Sequence, residues 1–545
     1  MLQASSSSVQ SRRAKPEGAV ALEMNSKAVD PEAQGGNDLR VGLLKSKGDG
    51  GRLVIDEMLR RHAGEMGRWQ MRHFVLTSLA WSLEAFHTMV MIFADREPAW
   101  RCSGLGLCPP DPCGLGPGEW GWIDGSGVST VAEWGLVCGE KYKVGLVQSA
   151  FFLGCMIGAG LFGHLSDSFL GRKGSLTAVC ILNTIFGLLT SMSPNYWVYF
   201  ILRLLTGFST GGVGLCAFVL ATEPIGPSKR AIAGMSTFYF FSGGIALLSG
   251  TAYIFKSWRI LYIVTSLPSL LFLFAIIPFI SESPRWYLVR RRINDAMSVM
   301  RAIAQTNGKH IPDGVTLILD DDNDDDVCDE KLEPSNQTQA ISGSLVDVIR
   351  SPITRNRLFL SIAINFLTSV VYYGLSLNVV NLKTNLYLSV FLNAVSEMPA
   401  FLLTALLLNW LGRKPLCAST MFLSGVSCVI GSLLSNSGTM KVLRLVCGLI
   451  GIFGMAATYN LLFIYTSELF PTVVRSAALG GASQAAQMGA ILAPMVVVLG
   501  DTIPFVVFGF CGVLGGLLSF LLPETMNKPL YDTIGGLVEG EKSEE

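Results

Sequence analysis

The side chain with the clearest chemistry in the sequence is Glu397, the one acid in an apolar stretch predicted to span a membrane at 384–409. About 20 apolar residues are needed to cross a bilayer as a helix, and an acid inside such a helix costs about 2.5–3.5 kcal/mol on insertion scales. Glu397 is therefore expected to face a polar cavity, beside a bend at Pro399. It would bind a cationic ligand electrostatically; the alternative is a structural acid paired to a neighbouring helix.

Further side chains could complete a pocket around this acid. They are Tyr372 and Tyr373 in the seventh predicted span, the aromatic run 238–241 in the fifth, and Gln484 and Gln487 on one face of the eleventh. Aromatic faces attract quaternary ammonium groups by about 0.5–2 kcal/mol each, and amides supply hydrogen bonds. For each aromatic residue alone, ordinary helix packing is the alternative.

The first predicted span adds Glu84 and His87, three residues apart. They are either a proton-relay pair or a polar contact between helices, and the sequence does not rank the two. No nucleophile–base set, nucleotide loop or metal-ligand spacing is evident, so we expect no enzyme activity, no cofactor and no metal site.

Composition indicates an all-α, polytopic membrane protein. Half of the 545 residues are hydrophobic and only 15% are charged, against about 25% in soluble proteins. The net charge is zero, which argues against nucleic-acid binding. Twelve spans are predicted, at 73–95, 144–166, 174–194, 196–222, 231–254, 259–280, 358–381, 384–409, 415–435, 441–466, 477–499 and 502–522.

The distribution of Lys and Arg predicts the orientation, since basic loops stay cytoplasmic. The basic loops fall on one side of an even number of spans, so both termini are predicted to be cytoplasmic. The predicted segments are a largely disordered tail (1–72), a first six-helix half (73–280) with an external loop (96–142), a central cytoplasmic loop (281–357), a second half (358–522) and a second tail (523–545).

The predicted external loop is rich in cysteine. Cys102, Cys108, Cys113 and Cys138 are an even number on the oxidising side of the membrane, which predicts two disulfides. Three pairings are possible, and free thiols are the alternative.

An internal repeat relates the two halves. Gly171-Arg172-Lys173 recurs as Gly412-Arg413-Lys414, and Glu282 before the central loop recurs as Glu524 after the last span, at nearly constant offset. Two six-helix halves describe the major facilitator fold, in which the halves rock around a site near the membrane midplane.

Charged residues at the cytoplasmic helix ends are candidates for a gate. Paired in one state and separated in the other, they would form a two-state element; the alternative is a set of static interface anchors. The candidates are Asp167, Arg172, Glu223 and Arg230 in the first half and Arg413, Glu468 and Arg475 in the second.

Several motifs resemble those of the organic cation/carnitine transporters, of the plant-type branch. The resemblance runs from about residue 70 to 525 and includes VSTVAEWGLVC (128–138), GLVQSAFFLG (145–154), SESPRWYL (281–288), YYGLSLN (372–378), Glu397-Met398-Pro399 and LPET (522–525). It implies a carrier of organic cations and zwitterions that works by alternating access. By resemblance, Glu397 matches the acid of the family's eighth span, Tyr372 the aromatic residue of its seventh and Phe240 that of its fifth.

Two departures from the family pattern weaken a strong preference for cations. Gln487 stands where the family's cation carriers have Asp and its anion or carnitine carriers have Arg, and Gly211, Gly212 and Gly214 replace bulkier residues in the fourth span. The spacing from Asp167 to Gly171 also exceeds the family's by one residue, which puts the Asp167 gate in doubt.

The expected function is secondary active (symport) or facilitative transport of small organic cations or zwitterions. The expected coupling ion is H⁺ or Na⁺, and the expected host is the plasma membrane or the vacuolar membrane, with membrane lipids as neighbours. The alternatives are a proton-coupled sugar or polyol carrier and, in another class, a non-transporting receptor that binds a partner through its external cysteine loop.

Overall fold

The fold is that of a computed structural model, which describes residues 51–103, 112–116, 118–318, 345–435, 437–526, 528, 531 and 534–542. The residues from Leu53 onwards form one compact unit.

Long helices dominate the described residues, and ten of these are long and apolar enough to cross a membrane. Thr472–Val497 and Ile503–Ser519 occupy the places of the last two predicted spans. In chain order we label the helices α1 (Arg68–Met89, continued by Met91–Ala94), α2 (Tyr142–Asp167), α3 (Gly171–Ser191), α4 (Tyr196–Thr222), α5 (Pro227–Ser236, continued by Phe238–Ile254), α6 (Trp258–Ala275), α7 (Pro352–Asn378), α8 (Leu386–Leu411), α9 (Arg413–Leu433), α10 (Met440–Leu469), α11 (Thr472–Val497) and α12 (Ile503–Ser519).

The repeated Gly-Arg-Lys motif begins α3 and α9. Gly171 and Gly412 have φ of 76° and 88°, in the left-handed region that favours glycine. The Glu282 carboxylate accepts hydrogen bonds from the amides of Arg172 and Lys173, at 3.0 and 3.1 Å. The repeat therefore encodes a carboxylate that caps a helix N-terminus, a favourable position for a negative charge.

The two ends of the helix bundle differ in what they carry. We call the end with the Gly-Arg-Lys turns the basic-loop end and the end with the cysteine-rich loop the disulfide end. At the disulfide end, strands Trp100–Cys102 and Trp120–Trp122 pair antiparallel, and Cys113 bonds to Cys138, as one of the possible pairings predicts. Cys102 is also disulfide-bonded, whereas Cys108 lies outside the described residues.

Several hydrogen bonds join the two halves at the disulfide end. The Tyr387 hydroxyl of α8 accepts a hydrogen bond from Arg96 at 2.6 Å, and its carbonyl accepts one from Ser249 of α5, also at 2.6 Å. Ser149 of α2 donates to the carbonyl of Ile491 in α11 at 2.6 Å. These bonds close the bundle at this end.

A small apolar cluster at the basic-loop end joins the segment just before α1 to the central loop. Ile55, Met58 and Leu59 are buried with Met297 and Met300. The elements involved are the helix Ile55–Met58, the turn Leu59–Ala63, and the helices Pro284–Val289 and Ile293–Thr306. Part of the predicted disordered tail is thus folded, because these few apolar side chains find a partner helix far along the sequence. The remaining short elements are Arg52–Leu53, Thr130–Trp134, Thr316–Leu317, Leu345–Arg350 and Ile534–Lys542.

Candidate functional site

A cavity of about 200 Å³ lies between the halves, bounded by side chains from both. Apart from small residues, its wall is mostly aromatic and aliphatic, with a few polar groups. The larger residues of the wall include Trp81 and Glu84 of α1, Phe238 and Phe241 of α5, Asn365, Tyr372 and Tyr373 of α7, Phe401 of α8, Tyr459 of α10 and Gln487 of α11, and Gly211 and Gly214 of α4 also line it.

The aromatic rings of the wall contact one another around the cavity. Phe238 lies 5.3 Å from Trp81, 5.9 Å from Phe401 and 6.3 Å from Tyr459, centroid to centroid. Tyr372 lies 5.4 Å from Tyr459. Rings that hold each other in this way form a preorganised cage, the type of site that binds quaternary ammonium groups.

Glu397 lies directly behind this cage. Its side chain is 1% exposed, and the Tyr372 hydroxyl donates to its Oε1 at 3.0 Å. The Ser242 hydroxyl of α5 donates to its Oε2. The carboxylate thus meets two hydroxyls rather than a base, and Tyr372 stands between it and the cavity.

Glu84, unlike Glu397, lines the cavity, and it is the only charged residue in the described wall. Its Oε2 is buried and has no hydrogen-bond partner among the described residues. His87, one turn further along α1, is fully buried and does not line the cavity. The predicted pairing of these two side chains is therefore not formed.

The structure separates the other predicted pocket residues. Tyr373 and Gln487 line the cavity with Tyr372. Gln484 is exposed and outside the wall. Phe240 is also outside, with its ring 6.2 Å from that of Phe74.

Sequence reasoning missed several wall residues, in particular Trp81, Phe238, Phe241 and Tyr459. Phe238 and Phe241 were in view as part of a run of four aromatic residues, 238–241. Their spacing of three places both on one helix face. The aromatic run therefore indicated that the helix could line a pocket, but not which of its faces points towards the cavity.

The predicted gate residues pair within each half. Arg172 lies 3.1 Å from Glu223 and 3.0 Å from the exposed Asp167. In the second half, Arg413 lies 2.9 Å from Glu468. These ion pairs join helix ends inside one half; they do not join one half to the other.

Arg230 and Arg475 differ from the rest of the gate set. Arg230 pairs with Asp56, from the folded segment before α1, at 2.7 Å, and Arg285 pairs with the same carboxylate. Arg475 donates from Nε to the carbonyl of Phe470 at 3.4 Å. The two arginines are repeat-related, but among the described residues only Arg230 has a carboxylate partner.

Comparison with known proteins gives consistent matches. The family model described as "Sugar (and other) transporter" matches residues 125–533. The chain is 65% identical over 520 residues to "Organic cation/carnitine transporter 4" of Arabidopsis thaliana, covering 94% of this chain and 97% of that protein. It is 33% identical over 518 residues to "Organic cation transporter protein" of Drosophila melanogaster, covering 87% and 92%.

Among solved structures, the inward-open xylose transporter XylE from E. coli matches with a TM-score of 0.61 at 16% identity, covering 86% of this chain and 99% of that one. At this identity the likeness concerns the fold alone. It confirms the predicted fold class, in which twelve helices form two six-helix halves.

Proposed function

The chain belongs to the organic cation/carnitine transporters within the sugar (and other) transporter family, and on this premise we propose that it carries small organic cations or zwitterions through the central cavity. The family is one of multi-pass membrane transporters. The proposal concerns what enters this cavity, how its wall recognises it and how the two halves release it.

The observation that carries the proposal is the chemistry of the wall. Aromatic rings enclose the cavity, carboxylates lie at and behind it, and its described lining includes no Lys, Arg or His side chain. A cation gains from the ring faces by about 0.5–2 kcal/mol each and meets no like charge. An anion of similar size would find no counter-charge.

Glu397 and Tyr372 act together in this proposal. Because the Tyr372 hydroxyl donates to Glu397, the carboxylate fixes the orientation of the ring that faces the substrate. Its negative charge also acts on the cavity through one layer of side chains, where the low dielectric strengthens the interaction.

Alternating access supplies the transport cycle. The structure is closed at the disulfide end by the Tyr387 and Ser149 contacts. The cavity wall extends to Phe218 and Thr466, near the basic-loop ends of α4 and α10. We propose that segments 73–280 and 358–522 rock as units and that the Arg172–Glu223 and Arg413–Glu468 pairs keep the helix ends of each unit together.

The proposal extends to the surroundings of the chain. The basic loops and both termini are cytoplasmic, because Lys and Arg concentrate in those loops, and the host is the plasma membrane or the vacuolar membrane. The coupling ion, where transport is active, is H⁺ or Na⁺. Arg290, Arg291 and Arg292 lie where they would meet anionic lipid head groups.

Uptake by the purified protein in liposomes tests the proposal. Labelled choline and carnitine are offered at two external pH values, with Na⁺ present and absent. Wild type is expected to accumulate at least one of them above protein-free liposomes. Glu397→Gln and Tyr372→Phe are each expected to raise the KM about tenfold, the equivalent of about 1.4 kcal/mol, whereas Glu97→Gln at an exposed site leaves it unchanged.

Other outcomes would contradict the proposal in distinct ways. Competition by hexoses but not by amines would indicate the sugar or polyol carrier. Flux at background for every solute, with partner binding that depends on the cysteine loop, would indicate a receptor. Full activity of Glu397→Gln on every cation would remove the role of that acid while leaving the transport function in place.

A further inference from the structure

We propose that Glu84, rather than Glu397, is the carboxylate that directly contacts the cationic centre of the substrate. This inference rests on the proposed function and names the group that reads the substrate's charge. It assigns the ammonium position to the α1 side of the cavity, next to Trp81.

The first argument is the state of the two carboxylates. Both oxygens of Glu397 accept hydrogen bonds, from Ser242 and Tyr372, and its side chain does not line the cavity. Glu84 lines the cavity, and its Oε2 has no hydrogen-bond partner among the described residues. Of the two carboxylates, only Glu84 borders the cavity, so a ligand in the cavity could approach it without displacing Tyr372 or Ser242.

The second argument is the space that α4 leaves for Glu84. A Cβ atom on Gly214 would collide with Glu84 Oε2 and lie 2.9 Å from its Cδ. Gly211, one turn earlier, also lines the cavity. Gly214 therefore makes room for this carboxylate, whereas a Cβ on Gly211 would meet the backbone of Cys155 in α2.

The third argument is energetic. A carboxylate with an unsatisfied oxygen away from water is costly, and the described wall offers no cation to offset it. A substrate ammonium would supply the missing charge. Trp81 belongs to the same helix, one turn before Glu84, so an ammonium at the carboxylate could also meet its indole face.

Four variants test the role of Glu84. Glu84→Gln removes the charge, and Gly214→Ala keeps it but occupies the space of Oε2. Glu397→Gln removes the other acid. Gly243→Ala is the matched control, because a Cβ on this α5 glycine meets nothing within 4 Å.

Two readouts are used on purified protein, namely uptake and the rise in melting temperature caused by choline, tetraethylammonium or carnitine, which reports binding without transport. Glu84→Gln and Gly214→Ala are expected to raise the half-saturating concentration of a cation at least about tenfold, and Gly243→Ala to leave it within about twofold. Without ligand, Glu84→Gln is expected to melt at the same temperature as wild type or higher, since the change removes an unpaired charge.

The results that overturn the inference are distinct from those that overturn the proposed function. If wild type binds or carries a cation and both Glu84→Gln and Gly214→Ala retain its affinity, Glu84 is not the contact. A ligand-free Glu84→Gln protein that melts well below wild type would make Glu84 a structural acid. If wild type neither binds nor carries any of the three solutes, the proposed function fails, and this inference with it.

Discussion

At the scale of single residues, the sequence located the chemistry but not its orientation. Glu397 and Tyr372 were predicted to lie in one pocket, and they are hydrogen-bonded in the structure. An isolated acid in an apolar span is costly unless it faces a polar partner or a cavity, which limits where it can lie. The family resemblance pointed to Phe240 within a run of four aromatic residues, whereas Phe238 and Phe241 of the same run line the cavity. Which face of α5 points inwards depends on packing against α1 and α8, which no local pattern encodes.

Glu84 shows the same limit for a charged group. The sequence left two interpretations of it open, a relay pair with His87 or a polar contact between helices, and in the structure Glu84 and His87 are not hydrogen-bonded to each other. Its place in the wall depends on Gly214 of α4, more than a hundred residues away in the chain. The position of a charged side chain that packs against a distant helix therefore cannot be read from its own span.

Gln487 gives a prediction that belongs to this scale. Gln487→Arg would put a positive charge in the wall of a cavity whose described lining has none. Two like charges 4 Å apart repel by about 4 kcal/mol at an effective dielectric constant of 20, so we expect the KM for choline to rise at least about tenfold. Carnitine should lose less, since its carboxylate offsets part of the repulsion.

Gln484→Arg is the control for this change, because Gln484 is exposed, three residues away on the same helix, and outside the wall. Its KM for choline should stay within about twofold of wild type. Equal losses in the two variants would mean that the added charge acts on folding or insertion rather than on the cavity.

At the scale of elements, the internal repeat could be recognised in the sequence because the same helix-capping motif, a Gly-Arg-Lys turn with a distant glutamate, occurs twice. Gly412 turns the chain into α9, and Glu524 accepts hydrogen bonds from the amides of Arg413 and Lys414 at 2.9 and 3.0 Å, as Glu282 does for α3. The folded segment Ile55–Ala63 was not readable, since it has too few apolar residues to show a period and gains its stability from the distant helix Ile293–Thr306.

Glu524 supplies a prediction about pH. Burial alone would raise the pKa of its carboxyl, but hydrogen bonds from four backbone amides outweigh this and hold the pKa below its usual value. A group whose pKa is lower in the folded state stabilises the protein above its unfolded pKa, and this contribution is lost as the pH falls through the folded value. Glu524→Ala should cost about 1 kcal/mol at neutral pH, as for the loss of a helix cap.

Melting curves of the two proteins from pH 7 down to pH 3 measure this effect. The variant should melt below wild type at pH 7, and the gap should close below about pH 4 as the wild-type carboxyl takes up its proton. A gap that stayed constant, or widened in acid, would mean that Glu524 acts through packing rather than through its charge.

At the scale of the whole molecule, the twelve-helix architecture followed from hydropathy and the repeat, but the conformation did not. The state of the bundle is set by which end of the interface is packed. Here Ser149 and Tyr387 hold the disulfide end together, while the predicted gate pairs lie within single halves. Ion pairs inside a half do not change when the halves rock, so the cycle must break contacts between the halves, and we expect those at the disulfide end to be among them.

Gly145 offers a direct test of that conclusion. A Cβ on this α2 residue would lie 2.9 Å from Val498 and 3.1 Å from Met495 at the end of α11. Gly145→Leu should therefore force the disulfide end apart, and an overpacking cost of about 1–3 kcal/mol would shift the population about tenfold towards the state open at that end. Uptake should slow, because each cycle must close this end again.

Labelling of Ser149→Cys by a membrane-impermeant thiol reagent, applied from the disulfide side, measures the opening. Modification should be several-fold faster when Gly145→Leu is also present, relative to the same chain without Ser149→Cys as background. Gly139→Leu is the control, because a Cβ at Gly139 meets nothing within 4 Å, and it should change neither labelling nor uptake. The conclusion would be contradicted if Gly145→Leu changed neither the labelling rate of the Ser149→Cys protein nor uptake by the wild-type protein. A bulky side chain between α2 and α11 should affect both if the contact there opens and closes in each cycle.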